Sequence, residues 1–289
     1  MITTEAKSKI VKALKEQRGM YIGSDKGFST KIGINAAQWS RLSNGNFFQV
    51  VSDGQWISLA RLAEVDLKGN SKWNTAKTPV YNTITAQLKK CQEKSISAIF
   101  CDDAGIGKTY SARVYVRENK GAVYIDCSQV KTRQKLVRQI AREFGVEHVG
   151  KYSNVYGDLC YYITSAAHNP LVILDEVGDL EYSAFLELKA LWNATENACG
   201  WYMMGADGLK EKIRRSIECK RVGYAEIFSR YGKRYQRSTP MGADEQKAFT
   251  MAQATAVIKA NAPEGVDVQK ILIKTEGSLR RIPTELKKL

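Results

Sequence analysis

The chain has 289 residues, of which 44 are Lys or Arg and 30 are Asp or Glu. Its formal net charge of +14 favours a polyanionic partner such as nucleic acid or an acidic protein surface. The sequence has no apolar run long enough to span a membrane and no apolar signal-peptide region, so we expect a cytoplasmic protein that does not enter a membrane. Six cysteines without C-x-x-C spacing and only two histidines argue against a zinc site or a disulfide framework.

Residues 1–68 are predicted to form a separate, all-helical domain. Helices are expected at residues 4–15, 24–32, 36–42 and 57–65. Thr4 and Ser24 are the expected caps of the first two helices, since both side chains can accept hydrogen bonds from free backbone N–H groups. Ile57–Val65 would close the core of the domain.

The second and third of these helices have the spacing of a helix-turn-helix. The run from Ile34 to Gly45 resembles the Cro and repressor type of DNA-binding domain. The resemblance implies that Asn35, Gln38 and Arg41 face the edges of DNA bases, while Ala37 and Leu42 pack inward. A docking bundle or a purely structural bundle, without DNA contact, is the alternative.

Residues 69–79 are polar and rich in helix breakers, which predicts a linker. From residue 80 onward, strands and helices alternate, and this order predicts an α/β fold with a mostly parallel sheet. A helix is expected at residues 80–94, and strands are expected at residues 98–101, 122–126, 171–174, 201–205 and 234–236. The pattern after Asp244 is helical.

A glycine-rich turn follows the first of these strands. Residues 104–109 read Ala-Gly-Ile-Gly-Lys-Thr and precede a helical run. A phosphate-binding loop needs such a turn, with N–H groups that converge on a phosphate, a Lys charge and a Thr hydroxyl for Mg²⁺. The full pattern has glycine where this chain has Asp102, which can also adopt turn conformations. We therefore predict ATP and Mg²⁺ as ligands. The expected nucleotide contacts are Ala104, Gly105, Ile106, Gly107, Lys108, Thr109 and Tyr110.

Two carboxylates follow the apolar run at residues 171–174. A continuous apolar run predicts a buried parallel strand, whose carboxyl end meets the ligand crevice. We expect Asp175 to hold Mg²⁺ together with Thr109, and Glu176 to polarise the attacking water. A core strand that ends in a solvated acidic turn is the alternative, which the phosphate-binding loop makes less favourable.

Residues 80–289 resemble the AAA+ ATPases. The resemblance rests on the two motifs above and on three further elements in the family's order, Gly205-Ala206-Asp207, Phe228-Ser229-Arg230-Tyr231 and Gly277-Ser278-Leu279-Arg280. It implies an α/β core at 80–240 and a helical lid at 241–289. It also implies that Asp207 is a polar sensor, that Arg230 is an arginine finger for a neighbouring subunit, and that Arg280 contacts the phosphates. An arginine suits both the finger and the lid contact, because it stays charged and binds phosphate in a bidentate way. For Arg230, the alternative is an ordinary member of the basic stretch from Lys210 to Arg237, and for Arg280 it is a charge on a helix surface.

Among these ATPases, a small helical domain before a compact core most resembles the transposition protein B family of Mu-type phages and its relatives in Tn7-type and insertion-sequence transposition. The resemblance implies ATP-dependent filaments on double-stranded DNA without sequence preference, and delivery of that DNA to a transposase. Arg230 of one protomer would then complete the site of the next.

In that case, cations at the start of a helix are the expected DNA contacts. We predict Lys131, Thr132 and Arg133 as phosphate contacts, with Lys151 as a weaker candidate. Ordinary solvated charges on a helix would explain the same residues.

Two other functions fit the same motifs. One is an ATPase that loads a helicase or acts as an initiator, which would need a replicative helicase and ignore transposase. The other is a transcription regulator that reads an operator through the helix-turn-helix and uses nucleotide only to switch its assembly.

Overall fold

The computed structural model describes residues 2–65, 67 and 73–289. Its amino-terminal part contains four helices: α1 (Thr4–Met20), α2 (Asp25–Ile32), α3 (Ala36–Ser43) and α4 (Asp53–Leu62). The Ser24 side chain caps α2, as predicted. The prediction for the first helix was wrong in one respect, because Thr3 and not Thr4 accepts the hydrogen bond from Ala6 N–H. The first helix also extends beyond Lys15, and the fourth begins before Ile57.

The core of this amino-terminal part contains an aromatic residue that was not predicted there. Ala37 is exposed, so the prediction that it packs inward was wrong, whereas Leu42 is buried as expected. Trp39 is 4 % exposed, and its ring lies 4.9 Å from that of Phe28 in an edge-to-face arrangement. The position is decided by the helical repeat, since Trp39 and Leu42 are three residues apart and share one face.

The expected linker joins this part to the next. Its residues 69–72 lie outside the described residues, and residues 73–78 form neither helix nor strand. The linker is attached to the carboxyl-terminal part of the chain, because Asn74 N–H donates to Asn261 Oδ1 at 2.7 Å. It ends where the Thr78 side chain caps helix α5 (Pro79–Lys94), whose first residue is a proline that suits this position.

A five-stranded sheet forms the centre of the molecule, and its strands confirm the predicted positions within one residue at each end. The strands are β1 (Ser97–Cys101), β2 (Ala122–Asp126), β3 (Leu171–Asp175), β4 (Gly200–Gly205) and β5 (Tyr235–Gln236). Their order is β2-β3-β4-β1-β5, and every neighbouring pair is parallel. All carboxyl ends therefore meet at one edge of the sheet.

Helices cover both faces of this sheet and continue to the end of the chain. They are α6 (Lys108–Glu118), α7 (Arg133–Glu143), α8 (Tyr152–Tyr161), α9 (Tyr182–Ala194), α10 (Asp207–Glu218), α11 (Tyr224–Arg230), α12 (Ala243–Asn261), α13 (Val268–Thr275) and α14 (Ile282–Leu286). One core lies between the sheet and α7, α8 and α9, and another between the sheet and α5 and α6. Helices α12, α13 and α14 share a small core of their own. None of the helices in the described ranges is both long and apolar enough to cross a membrane.

The amino-terminal helices pack against the side of the sheet where β2 forms the edge. The Tyr21 hydroxyl donates to the Phe144 carbonyl oxygen at 2.6 Å, and Lys31 pairs with Glu143 at 3.3 Å. Arg142 Nε donates to the Lys31 carbonyl oxygen at 3.2 Å. One partly buried charge pair and two hydrogen bonds therefore join Tyr21 and α2 to the end of α7, and they attach the amino-terminal helices to the α/β core.

Candidate nucleotide site

The turn between β1 and α6 has the backbone that a phosphate-binding loop needs. Gly105 and Gly107 both adopt left-handed conformations, with φ of 78° and 100°. An L-residue with a Cβ rarely adopts these angles, which explains glycine at both places. Helix α6 begins at Lys108, directly after the turn, so its free N–H groups and the positive end of its dipole face the loop.

The Lys108 side chain lies back on the loop that carries it. Its Nζ donates to the carbonyl oxygens of Asp102 at 2.8 Å and Asp103 at 2.7 Å. Burial lowers the pKa of the ammonium group, and the carboxylates of Asp102, Asp175 and Glu176 oppose that change. The hydrogen-bond partners of this charged lysine are neutral carbonyl oxygens, so a phosphate would bind it more strongly and neutralise its charge.

Asp175, at the end of β3, brings the predicted metal ligands together. Its carboxylate is 1 % exposed, and its Oδ2 accepts hydrogen bonds from the Thr109 hydroxyl at 2.6 Å and the Tyr124 hydroxyl at 2.8 Å. A carboxylate and a hydroxyl side by side fit Mg²⁺, which prefers oxygen ligands and keeps several waters. Within the described part of the chain no group of three His, Cys, Asp or Glu side chains could hold a metal, so the remaining ligands would be water and phosphate oxygens.

Glu176 follows in a left-handed conformation, with φ of 50°. Its N–H donates to Asp175 Oδ1 at 3.0 Å, and its side chain lines the cavity described below. Burial raises the pKa of Glu176 above its ordinary value of 4.5, with a further contribution from the charge of Asp175. A carboxylate of raised pKa is a stronger base, which suits a group that polarises water.

These elements surround one cavity of about 340 Å³. Its walls are formed by Ala104, Gly105, Gly107, Lys108, Thr109, Tyr110, Arg113, Glu176, Ala206, Leu279 and Arg280. Arg280 comes from the turn between α13 and α14, and its Nε lies 3.6 Å from where a Cβ on Gly105 would be. The structure thus brings the lid arginine to the glycine turn, although the two are far apart in sequence.

Three predicted residues lie elsewhere. Ile106 packs against the core between the sheet and α5 rather than lining the cavity. Asp207 is exposed at the first residue of α10 and does not line the cavity. The preceding residue, Ala206, lines it instead. Arg230, at the end of α11, donates from Nε to Asn193 Oδ1 at 2.7 Å and lies 5.3 Å from the centre of the Trp192 ring. Among the described residues, Arg230 is not one of those that line the nucleotide cavity of its own chain.

Residues 92–213 match a family model described as an AAA domain. This match supports an AAA+ ATPase family. The parallel five-stranded sheet with flanking helices fits the α/β fold of these P-loop ATPases. The matched segment contains both the phosphate-binding loop and the carboxylates that follow β3. The match supports a general ATPase role, and such a domain implies nucleotide binding, usually with Mg²⁺. No curated protein matches the chain.

Two side chains of this AAA region were not predicted from the sequence. Tyr124, on β2, donates to the carboxylate of Asp175, the predicted metal ligand, and the Arg113 guanidinium lies 5.1 Å from the centre of the Tyr124 ring. Burial and the neighbouring Asp175 raise the pKa of Tyr124, so its hydroxyl stays a donor. The register of β2 and β3 could have indicated Tyr124 only if the pairing had been known, because Tyr124 and Asp175 are 51 residues apart.

The predicted DNA contacts of the AAA region lie near the starts of α7 and α8. Lys131 is exposed and forms an ion pair with Asp179 at 3.6 Å, and Thr132 is the N-cap of α7. The Arg133 guanidinium lies 5.2 Å from the centre of the Tyr152 ring. Lys151, the N-cap of α8, is exposed. These four residues place three positive charges near the starts of α7 and α8, and we call them the cationic surface. The carboxylates of Asp179 and Glu187 lie close by, since Glu187 Oε1 accepts from the Tyr152 hydroxyl at 2.6 Å.

The predicted base contacts of α3 are occupied locally. The Asn35 and Gln38 side chains form a capping box at the start of the helix. Gln38 Nε2 also donates to the Val50 carbonyl oxygen at 3.0 Å, and Arg41 Nη2 donates to the Phe48 carbonyl oxygen at 3.4 Å. Contact with bases through Gln38 would require its hydrogen bonds to Asn35 and Val50 to break. Asn35 and Arg41 remain exposed.

Proposed function

We propose that the chain is an ATP-dependent, sequence-nonspecific DNA-binding ATPase that assembles filaments on double-stranded DNA and delivers this DNA to a transposase. The observation that carries the ATPase part is the cavity at the carboxyl edge of the sheet. Lys108, Glu176 and the lid residue Arg280 all line it, and Asp175 lies beneath Thr109.

Each residue of the cavity has a separate role in the proposed hydrolysis. The glycine turn and the first N–H groups of α6 bind the phosphates, and Lys108 exchanges its two carbonyl partners for phosphate oxygens. Thr109 and Asp175 would hold Mg²⁺, which would supply positive charge to the phosphate oxygens. Glu176 accepts a proton from the attacking water, and Arg280 contacts the phosphates from the lid.

The charge distribution supports DNA as the polyanion. The net charge of +14 is large for 289 residues. Lys131, Arg133 and Lys151 lie together at helix starts, where backbone N–H groups also favour phosphate. Contacts of this kind bind the DNA backbone and carry no sequence information, which suits binding without sequence preference.

The position of Arg230 supports self-association. Its side chain is half-buried at the end of α11 and lies outside the walls of its own nucleotide cavity. An arginine finger acts on the nucleotide of a neighbouring subunit, so such a position is the one expected of it. Transposase as the partner rests on the order of the parts, a small helical domain before an AAA+ core, together with the family resemblance.

Electron microscopy of the protein on random-sequence duplex DNA tests this proposal. We expect long filaments that require both ATP and Arg230, so that Arg230→Ala abolishes them. Arg234→Ala is the matched control, since Arg234 is exposed only four residues away, and this variant should form filaments normally. Closed rings would instead indicate a helicase loader, and binding to one defined DNA site without nucleotide would indicate a transcription regulator.

A further inference from the structure

Asp102, the one departure from the phosphate-binding pattern, is held by contacts to both of its carboxylate oxygens. Its side chain is fully buried. Oδ2 accepts hydrogen bonds from the backbone N–H groups of Ser238 at 2.7 Å and Thr239 at 3.0 Å. Oδ1 accepts from Asp103 N–H at 2.8 Å and lies 3.3 Å from Arg237 Nε. A glycine here would leave these donors without the carboxylate, and an unsatisfied buried donor is unfavourable.

A second bridge joins the same two segments. Arg237 Nη2 donates to both carboxylate oxygens of Asp103, at 3.1 and 3.2 Å. Gln246, in the first turn of α12, donates from Nε2 to Asp103 Oδ2 at 2.7 Å. The start of the phosphate-binding loop is therefore attached to the end of β5 and to the first lid helix by two carboxylates, one guanidinium and one amide.

Both ends of the lid thus reach the loop that binds phosphate. Near the first end, Gln246 of the first lid helix donates to Asp103, and so does Arg237, which lies just before the lid. Near the second end, Arg280 lies beside Gly105. The backbone carbonyl oxygens of Asp102 and Asp103 are also the two partners of the Lys108 ammonium group. Asp102 and Asp103 therefore hold the Lys108 ammonium group through their carbonyl oxygens and contact residues 237–246 through their carboxylates.

We propose that Asp102 is a positioning residue that clamps the phosphate-binding loop to residues 237–239, so that loop and lid hold a bound nucleotide as one unit. This inference rests on the proposed nucleotide binding and on no other part of the proposed function. Asp102 does not contact the nucleotide in this arrangement. It acts by holding the loop, and its loss lets the lid open without the loop, which speeds the release of nucleotide.

Stopped-flow release of fluorescent N-methylanthraniloyl-ADP from the full chain tests the clamp. Asp102→Asn keeps the shape of the side chain, but an amide cannot accept from both groups of donors, because one of its ends is itself a donor. We expect release about tenfold faster, which corresponds to a loss of about 1.4 kcal/mol. The matched control is Asp267→Asn. Asp267 also accepts two backbone N–H groups, at 2.9 and 3.2 Å, but within the lid alone, so its variant should release at the wild-type rate.

A double-mutant cycle separates positioning from simple stabilisation. Arg237→Gln breaks the clamp from the other side, so we expect Asp102→Asn and Arg237→Gln together to speed release no more than the stronger single variant. A lowered melting temperature with an unchanged release rate, or additive effects on release, would overturn the clamp. If the wild-type protein itself fails to bind the probe, the proposed nucleotide binding is wrong and the clamp with it. Wild-type binding with unchanged release in Asp102→Asn rejects the clamp alone.

Discussion

At the scale of single residues, Asp175 links the metal position to the rest of the fold. One of its oxygens accepts from the Thr109 hydroxyl, which belongs to the phosphate-binding loop, and from the Tyr124 hydroxyl, which belongs to β2. The carboxylate is buried, so each donor offsets part of the cost of keeping it charged. Two donors on one oxygen fix its direction, and a fixed ligand direction is what Mg²⁺ geometry requires.

Lys108→Ala should remove most of the nucleotide affinity. The ammonium group is buried and held by two carbonyl oxygens, so it is available to phosphate without the cost of leaving water. A hydrogen bond to a charged group contributes about 1.5–3 kcal/mol, which predicts ATP binding weaker by a factor of roughly 10 to 150. Isothermal titration calorimetry measures this, with the exposed Lys89→Ala as the control. Equal affinity of the Lys108 variant and the wild type would contradict the site.

Glu176→Gln should leave ATP binding intact and slow hydrolysis by a factor of about 10² to 10⁴, the usual contribution of a general base. The raised pKa of Glu176 adds a pH dependence. The carboxyl group must be charged to accept a proton, so the wild-type rate should fall as the pH is lowered through a value above 4.5.

Phosphate-release assays across this pH range measure both effects. Glu181→Gln, at an exposed carboxylate five residues further along, is the control and should keep the wild-type rate and profile. If the Glu176→Gln variant retained the acidic limb of the profile, another group would be the base.

At the scale of elements, α3 shows how one helix divides its faces. Trp39 and Leu42 are buried, while Asn35, Ala37 and Arg41 are exposed. The exposed face is the one expected of a recognition helix, and the buried face attaches it to α2 through Phe28. The stability of this helix therefore depends on tertiary packing, since an isolated helix of eight residues is too short to be stable in water.

Trp39→Ala should destabilise the amino-terminal helices by about 3–5 kcal/mol, the usual cost of removing a large buried aromatic side chain. Ala37→Ser is the control, because a small exposed change costs at most about 0.5 kcal/mol. Urea denaturation of the full chain, followed by circular dichroism, measures both. A larger loss in the Ala37 variant than in the Trp39 variant would show that the faces of α3 are assigned the wrong way round.

At the scale of the whole molecule, the positive charge is only partly neutralised by neighbours. Arg214 and Arg215 pair with Glu211 on α10, and Lys288 pairs with Glu285 at the end of the chain. Local pairs of this kind stabilise little and leave a small field at a distance. The cationic surface contains three positive charges, with the carboxylates of Asp179 and Glu187 nearby. Its cations lie at helix starts, where free backbone N–H groups also favour an anion.

Replacement of Lys131, Arg133 and Lys151 by Ala should weaken DNA binding at low salt and reduce its salt dependence. Each phosphate contact contributes about 0.9 to the slope of log K against log salt concentration, so the slope should fall by roughly 2 to 3. Fluorescence anisotropy with random-sequence duplex DNA measures it. The control replaces Arg214, Arg215 and Lys288 and removes the same net charge. A similar slope change in both variants would show that net charge alone, and no defined surface, binds the DNA.

The motifs and most element positions were accessible from the sequence because both depend on local spacing. The first four strands are short, mostly apolar runs, and the glycine turn before α6 needs particular residue types at particular steps. The carboxylates after β3 could be placed near the loop because parallel strands present their carboxyl ends at one edge. The errors at Thr4 and Ala37 are shifts within a helix, where several neighbouring residues satisfy the same local rule.

The sequence by itself determined where the strands and the glycine turn lie, since each of those features depends on a short run of consecutive residues. The alternation of strands and helices along the chain indicated the parallel sheet. Only the tertiary structure decided which distant side chains complete the site. In the folded chain, Tyr124 donates to Asp175, and Ala206 rather than Asp207 lines the cavity. The Asp102 carboxylate accepts from the N–H groups of Ser238 and Thr239. The physical reason is that these contacts depend on how strands and lid pack in three dimensions, and pairing between residues 51 to 137 positions apart leaves no periodic signal along the chain.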